Sequence, residues 1–203
     1  ERAKHKPRVF VASSAIGYYG SGLETTRVDE SASAGNDFLA LVCVAWEGAA
    51  GRAESFGVRV VRARTGIVLS EQGGPLASLL GPFKWFVGGP IGSGKQGFSW
   101  IHLDDEVAAL LHCIDHESLS GAVNLCAPEP VSNAELSRLV GEMLHRPSFF
   151  RAPGFALKAL FGEGAEPLLG GQWGEPRALL QAGFAFRYAD VRSALRAVLR
   201  VGF

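Results

Sequence analysis

Between Gly88 and Asp105 the chain reads GGPIGSGKQGFSWIHLDD, and its glycines, lysine, histidine and carboxylates suggest phosphate binding or acid/base work. Gly92, Gly94 and Gly97 spell G-x-G-x-x-G, and Gly89 to Lys95 spells G-x-x-x-x-G-K. Both motifs hold phosphate only where a strand precedes the glycines and a helix follows, so that backbone N–H groups and a helix N-terminus face the anion. Here Gly88, Gly89 and Pro90 precede the loop and FSWI follows it. That context predicts a turn or strand after the loop. Gln96 also stands where a magnesium-binding loop needs Ser or Thr. Neither phosphate motif fits its surroundings.

The end of the stretch, Trp100 to Asp105, reads as a strand running into a helix. Asp104 or Asp105 is the expected N-cap, because a short side-chain oxygen accepts the first free N–H groups. Val107, Ala108, Leu110, Leu111 and Ile114 recur at helical spacing behind it. His112, Cys113 and His116 lie close on this helix, but the spacing is not that of a metal site and no metal is expected. Cys43, Cys113 and Cys126 sit in apolar surroundings and fit reduced, buried thiols in a cytoplasmic protein.

The 203 residues are 47% hydrophobic and 20% charged, enough to bury a real core. The formal net charge is zero, so bulk electrostatics predicts neither a nucleic-acid nor a membrane partner. No apolar run reaches membrane-spanning length. Lys4 to Ile16 imitates a signal peptide but runs into GYYGSG without a cleavage pattern. The chain opens on Glu1 and its only methionine is Met143, so the natural N-terminus is expected upstream.

The elements that must position these residues follow from patterning. RVFVAS (Arg8 to Ser13) reads as a buried strand entering the glycine-rich loop GYYGSG. Asp37 caps a helix from Phe38 to Ser55, with Leu39, Val42, Cys43, Trp46, Ala49 and Ala50 on one side and Gly57 as its stop. Val58 to Arg64 is the next strand, and strand–helix–strand is a parallel crossover unit. A helical segment is expected over Leu76 to Val87 and a strand over Ala122 to Cys126. Ser132 and Glu135 form a capping box for a helix faced by Leu136, Leu139, Val140, Met143 and Leu144. From residue 147 to 203 a small, mostly helical domain is expected, distinct from residues 1–146. It would hold short pieces broken by Gly and Pro, then helices over Pro176 to Gln181 and Asp190 to Leu199. Its Phe155, Leu157, Leu160 and Phe161 are expected to cover the sheet end.

At SSAIGYYG, RTGIVL and SWIHLDD, in that order, the chain resembles the extended short-chain dehydrogenase/reductase superfamily. It is most similar to the NAD-dependent epimerase-like branch that carries a C-terminal domain of unknown function of the DUF1731 type. The C-x-x-W-E helix (Cys43 to Glu47), GGPIGSGxQ (Gly88 to Gln96), LLGGQ (Leu168 to Gln172) and AGFxFRY (Ala182 to Tyr188) extend the resemblance over essentially the whole chain. It implies an α/β fold with a Rossmann-like NAD(P)-binding parallel sheet. The glycine fingerprint that would choose NAD or NADP lies upstream of Glu1 and leaves the cofactor unread. Without the strands that carry it, sheet edges and apolar faces would stand open.

The resemblance also implies roles. Ser14, and less directly Ser13, matches the strand-end serine that orients substrate; either hydroxyl would serve equally to satisfy local backbone groups. The tyrosine and lysine that move the proton in the superfamily fall on Leu39 and Cys43, and no Y-x-x-x-K occurs anywhere in the chain. Tyr19 is then the catalytic phenol at hand, with Tyr18 beside it. Ser13, Arg64, Thr65 and Gly66 would border the cofactor, the Arg64 guanidinium meeting a carboxylate or phosphate. Backbone N–H groups of Gly92, Ser93 and Gly94, with Lys95 and Gln96, would form an anion-binding concavity on the substrate side, and Trp100 and His102 would line the cleft. The implied activity is an NAD(P)-dependent, epimerase-like oxidoreductase on a nucleotide-sugar-like or small carbonyl substrate. The alternative is a cofactor-binding sensor or interaction protein without turnover. A small-molecule substrate is the implied partner, and a homodimer is an allowed assembly.

Overall fold

The computed structural model describes residues 5–22, 26–71, 73–155, 159 and 169–200. The valine-rich start forms strand β1 (Val9–Ala15) and passes through a 3-10 turn at Ile16–Tyr19 to the two-residue β2 (Arg27–Val28). Asp37 then caps helix α1 (Phe38–Gly51), its carboxylate accepting from the Ala40 N–H. A 3-10 turn over Arg52–Phe56 ends at Gly57, whose φ of 76° suits a residue without Cβ. There follow β3 (Arg59–Thr65), β4 (Ile67–Leu69), α2 (Gly74–Lys84), β5 (Gly97–Phe98), β6 (Trp100–His102), α3 (Leu103–Asp115) and β7 (Gly121–Leu125). The chain continues through β8 (Val131–Ser132), α4 (Asn133–Leu144), β9 (Trp173–Gly174), α5 (Arg177–Gln181) and α6 (Val191–Leu199).

Strands β1, β3 and β7 make one parallel sheet in that order. Ala15 pairs with Thr65, and Thr65 with Leu125, so the three carboxyl ends finish level. In parallel α/β sheets this end is where ligands bind. Side chains alternate across the sheet. Arg62 and Arg64 of β3 reach Glu54 and Glu47 on the α1 side. Val61 and Ala63 pack with Ala109 and Cys113 of α3 on the other. β1 is a terminal strand, paired among the described residues with β3 alone.

Two expected helix faces are rotated. Along α1 the buried positions are Ala40, Cys43, Glu47 and Ala50, while Leu39 and Trp46 lie exposed. The stripe contains a carboxylate that hydropathy assigns to solvent, and burial of Glu47 is made tolerable by its partners, described below. Along α3 the buried positions are Asp105, Glu106, Ala109 and Cys113, and Leu103, Val107, Leu111 and Ile114 face outward. Neither aspartate caps this helix. His102 does, its Nδ1 accepting from the Asp104 N–H at 3.0 Å. Asp105 instead turns inward and accepts from the backbone N–H groups of Arg187 and Tyr188, at 2.8 and 2.9 Å.

The C-terminal residues are woven into the body that precedes them. β9 adds to β2 in parallel. Val191, Ala194, Leu195 and Val198 of α6 share one core with Leu76 and Phe83 of α2, Trp100, and Leu136 and Val140 of α4. Ser132 caps α4 through the Glu135 N–H as expected, but the Glu135 carboxylate turns to Arg138 and closes no reciprocal box. Phe155, expected to cover the sheet end, is exposed. Leu157, Leu160 and Phe161, like most of the short pieces expected before Gln172, lie outside the described residues.

Asp105→Ala leaves two part-buried backbone donors without their acceptor. It should lower unfolding stability by about 1–3 kcal/mol, read as a drop in the urea midpoint at unchanged slope.

Candidate active site at the strand carboxyl ends

The level ends of β1 and β3 bring Ser14 and Arg64 together on the α1 face. Both meet the carboxylate of Glu47 one helix away. Ser14 Oγ donates to Glu47 Oε1 at 2.7 Å. Arg64 grips the same carboxylate with two parallel bonds, Nε to Oε1 at 2.8 Å and the second guanidinium nitrogen to Oε2 at 2.9 Å. Its remaining nitrogen donates to the Tyr19 hydroxyl at 2.9 Å, and that hydroxyl donates to Asn124 Oδ1 at 2.8 Å. The Asn124 amide donates in turn to the Glu175 carbonyl. The guanidinium also lies 3.4 Å from the centre of the Tyr18 ring, a cation–π contact. All five polar side chains from Ser14 to Asn124 are buried, and each is hydrogen-bonded.

This network places the predicted residues. Arg64 meets a carboxylate, as its strand-end position suggested, but the carboxylate is the protein's own. Ser14 is buried and committed to Glu47. Burial pushes the Tyr19 phenol up to about 12, with Arg64 offsetting only part of the effect. A phenol so held stays protonated near neutral pH. Leu39 is exposed, and Cys43 is a buried thiol pushed upward by burial. Glu47 served in the sequence only as an alignment landmark. The signal that it does more was a carboxylate falling in the otherwise apolar stripe of 40, 43 and 50.

On the opposite face Ser13 is exposed and Thr65 reaches α3. Thr65 Oγ1 donates to Glu106 Oε1 at 2.9 Å, while Glu106 Oε2 is buried with no hydrogen-bond partner among the described residues. Burial pushes this carboxyl up to about 7. Glu106 was not singled out from sequence, where it read as one more acidic residue in a helix's first turn. Gly66 follows at the point where the chain passes the Ser99 carbonyl. A Cβ there would lie 2.7 Å from that oxygen, so close approach demands glycine.

In the glycine-rich loop, three of the backbone donors that the expected anion concavity would use are bonded within the protein. The Gly92 N–H goes to the Ala152 carbonyl, that of Gly94 to Ile91, and that of Lys95 to Ser93 Oγ. Gln96 is buried and ties its amide back to the Ile91 carbonyl. Ser93 thus stabilises its own turn. Trp100 is fully buried, its indole N–H donating to the Glu129 carbonyl. His102 is buried as a helix cap with its ring 3.9 Å from that of Tyr188. Among the described residues no group of three potential metal ligands occurs, and no helix is long and apolar enough to cross a membrane.

A parallel sheet with crossover helices, and with polar residues collected at the carboxyl ends of its strands, defines a Rossmann-like α/β protein. Residues 152–198 match the family model described as Domain of unknown function (DUF1731). The chain is 45% identical, over 98% of its length, to the "Epimerase family protein SDR39U1 homolog, chloroplastic" of Arabidopsis thaliana, of which it covers 56%. It superimposes with a TM-score of 0.92 on the crystal structure of the human epimerase family protein SDR39U1 with NADPH. That match has 33% identity and covers 98% of this chain and 68% of the human one. A nucleoside-diphosphate sugar epimerase from Corynebacterium glutamicum matches at a TM-score of 0.77 and 35% identity, over 95% of this chain and 37% of that one. The chain belongs to the SDR39U1-like epimerase family. It spans 56% to 65% of the length of the curated relatives it matches.

Two measurements check this geometry. Arg64→Met leaves the Glu47 charge buried and unpaired and should cost about 3–5 kcal/mol in denaturant unfolding. Arg64→Met with Glu47→Leu should recover much of that loss. For Glu106, a folded pKa raised above the unfolded value means that stability present at pH 4 is lost as pH rises through about 7. Glu106→Gln should therefore match the parent at pH 4 and exceed it in thermal midpoint at pH 8; equal midpoints at pH 8 would count against a protonated Glu106.

Proposed function

We propose that the protein acts as an NAD(P)-dependent, epimerase-like oxidoreductase on a nucleotide-sugar-like or small carbonyl substrate. The observation that carries this reading is the likeness to the NADPH-bound human relative, which spans 98% of the chain and so takes in both strand ends and the glycine-rich loop. The residues present fit a nicotinamide nucleotide. Glu106 keeps one buried carboxyl oxygen without a partner beside Thr65, at the carboxyl end of β3. A primary amide such as that of nicotinamide offers N–H groups of the kind that oxygen lacks. Thr65, the backbone at Gly66 and the exposed Ser13 would hold it. The nicotinamide, when bound, supplies hydride acceptance and donation.

The remaining roles fall to side chains of this chain. Glu47 and Arg64 hold the ends of β1 and β3 in register. Tyr18 replaces Tyr19 as the phenol able to meet a substrate. It is only partly buried, it rests on Arg64, and its hydroxyl is bonded to no described residue, whereas the Tyr19 hydroxyl is committed twice.

A second reading, cofactor binding without turnover, is favoured by Leu39 and Cys43 at the positions of the proton-moving tyrosine and lysine. One titration and one exchange assay separate the two. NADPH or NADH fluorescence should rise saturably on addition of protein, and tritium should pass between labelled cofactor and a sugar nucleotide. Tyr18→Phe should cut that transfer at least tenfold while leaving cofactor affinity within twofold. Binding without transfer for any sugar nucleotide would favour the sensor reading, and no binding of either cofactor would remove both.

A further inference from the structure

The side chains that residues 81–92 and 145–155 turn outward take no part in the Ser14–Glu47–Arg64 network described above. The two segments are laced together. The Phe150 N–H donates to the Gly88 carbonyl, Ala152 to Pro90, and Gly92 back to Ala152, with a parallel bridge between Ile91 and Ala152. Three backbone bonds thus hold the two segments side by side. What the surface offers outward is side chains. Trp85 is 82% exposed, Phe149 75% and Phe155 79%, and Phe86, Val87 and Phe150 also lie open. Phe86 holds a left-handed backbone, φ 62°, uncommon for a bulky residue, and its ring lies under the Arg146 guanidinium at 4.3 Å.

The charges on this surface are of one sign. Lys84, Arg146 and Arg151 are exposed, and neither segment contains a single Asp or Glu. None of the three cations pairs with a described carboxylate. The zero net charge of the chain therefore conceals a local segregation.

We propose that this aromatic and basic surface docks on an anionic lipid bilayer. Aromatic side chains favour the layer between headgroups and acyl chains, where a ring is half in hydrocarbon. Lysine and arginine beside them are drawn to acidic headgroups, each contributing about fivefold in affinity near a charged membrane. Neither segment carries an Asp or Glu that would repel acidic headgroups. The contact is peripheral and reversible: a few rings enter the interface and no segment spans it.

Co-sedimentation of the full chain with large unilamellar vesicles tests the proposal. Vesicles of phosphatidylcholine with 30% phosphatidylglycerol, a fraction of about one third chosen to give a clear surface charge, should bind the protein. Pure phosphatidylcholine should bind it at least tenfold less. Lys84→Glu with Arg151→Glu, and separately Trp85→Ser with Phe149→Ser, should each lower binding at least tenfold. All four residues are exposed, and unchanged circular dichroism melts would establish that the variants fold. Equal binding to both vesicle types, or binding indifferent to either variant pair, would overturn the proposal. So would absence of vesicle binding together with a parent dimer, seen by light scattering, that the Trp85→Ser, Phe149→Ser variant abolishes. That last result would assign the surface to a second copy of the chain.

Discussion

The carboxylate of Glu47 is the point on which the described structure turns. It is buried in a helix that faces the sheet, where an unpaired charge would cost several kcal/mol. Arg64 closes on it with two parallel bonds and Ser14 adds a third. Because Arg64 stands near the end of β3 and Ser14 near the end of β1, the same contact ties two strands and one helix at the ligand end of the sheet. The guanidinium then reaches Tyr19 and stacks on Tyr18, so the loop after β1 is set by the same charge.

This arrangement changes what the resembling motifs can do. Residues that read as catalytic from their positions are consumed in holding the scaffold: Ser14 by Glu47, and Tyr19 by Arg64 and Asn124. The glycine-rich loop is consumed likewise, its N–H groups closing turns and meeting residue 152 rather than awaiting a phosphate. Polar groups with unspent capacity lie elsewhere. Among the described residues, Glu106 Oε2 on the far face of the sheet and the Tyr18 hydroxyl have no hydrogen-bond partner. A family's pattern and the chemistry available in one member can therefore diverge without any change of fold.

The outer faces of α1 and α3 share a common trait. Each helix buries acidic residues, Glu47 in one and Asp105 with Glu106 in the other, and turns Phe38, Leu41 and Trp46 or Val107, Leu111 and Ile114 outward. An apolar stripe at helical spacing is ordinarily taken as the core face. Here the inward face is set by hydrogen-bond satisfaction: Arg64 and Ser14 for Glu47, the N–H groups of Arg187 and Tyr188 for Asp105, and Thr65 for one oxygen of Glu106.

The sequence by itself determined the parallel sheet and its crossovers. Short runs of β-branched residues, Asp37 and Ser132 as caps and Gly57 as a stop act over a few residues, and local patterning records them. It also determined the family, because SSAIGYYG, RTGIVL and WIHLDD are contiguous. Only the tertiary structure decided which polar side chains are partners. Glu47 and Arg64 are 17 residues apart, Tyr19 and Asn124 are 105, and Asp105 and Tyr188 are 83. No spacing rule links such positions, since their meeting depends on strand register and helix rotation. Those are set by packing across the whole sheet. For the same reason the helical stripe put Trp46 with the apolar face, while the fold, by bringing a guanidinium to Glu47, buries Glu47 and leaves Trp46 exposed.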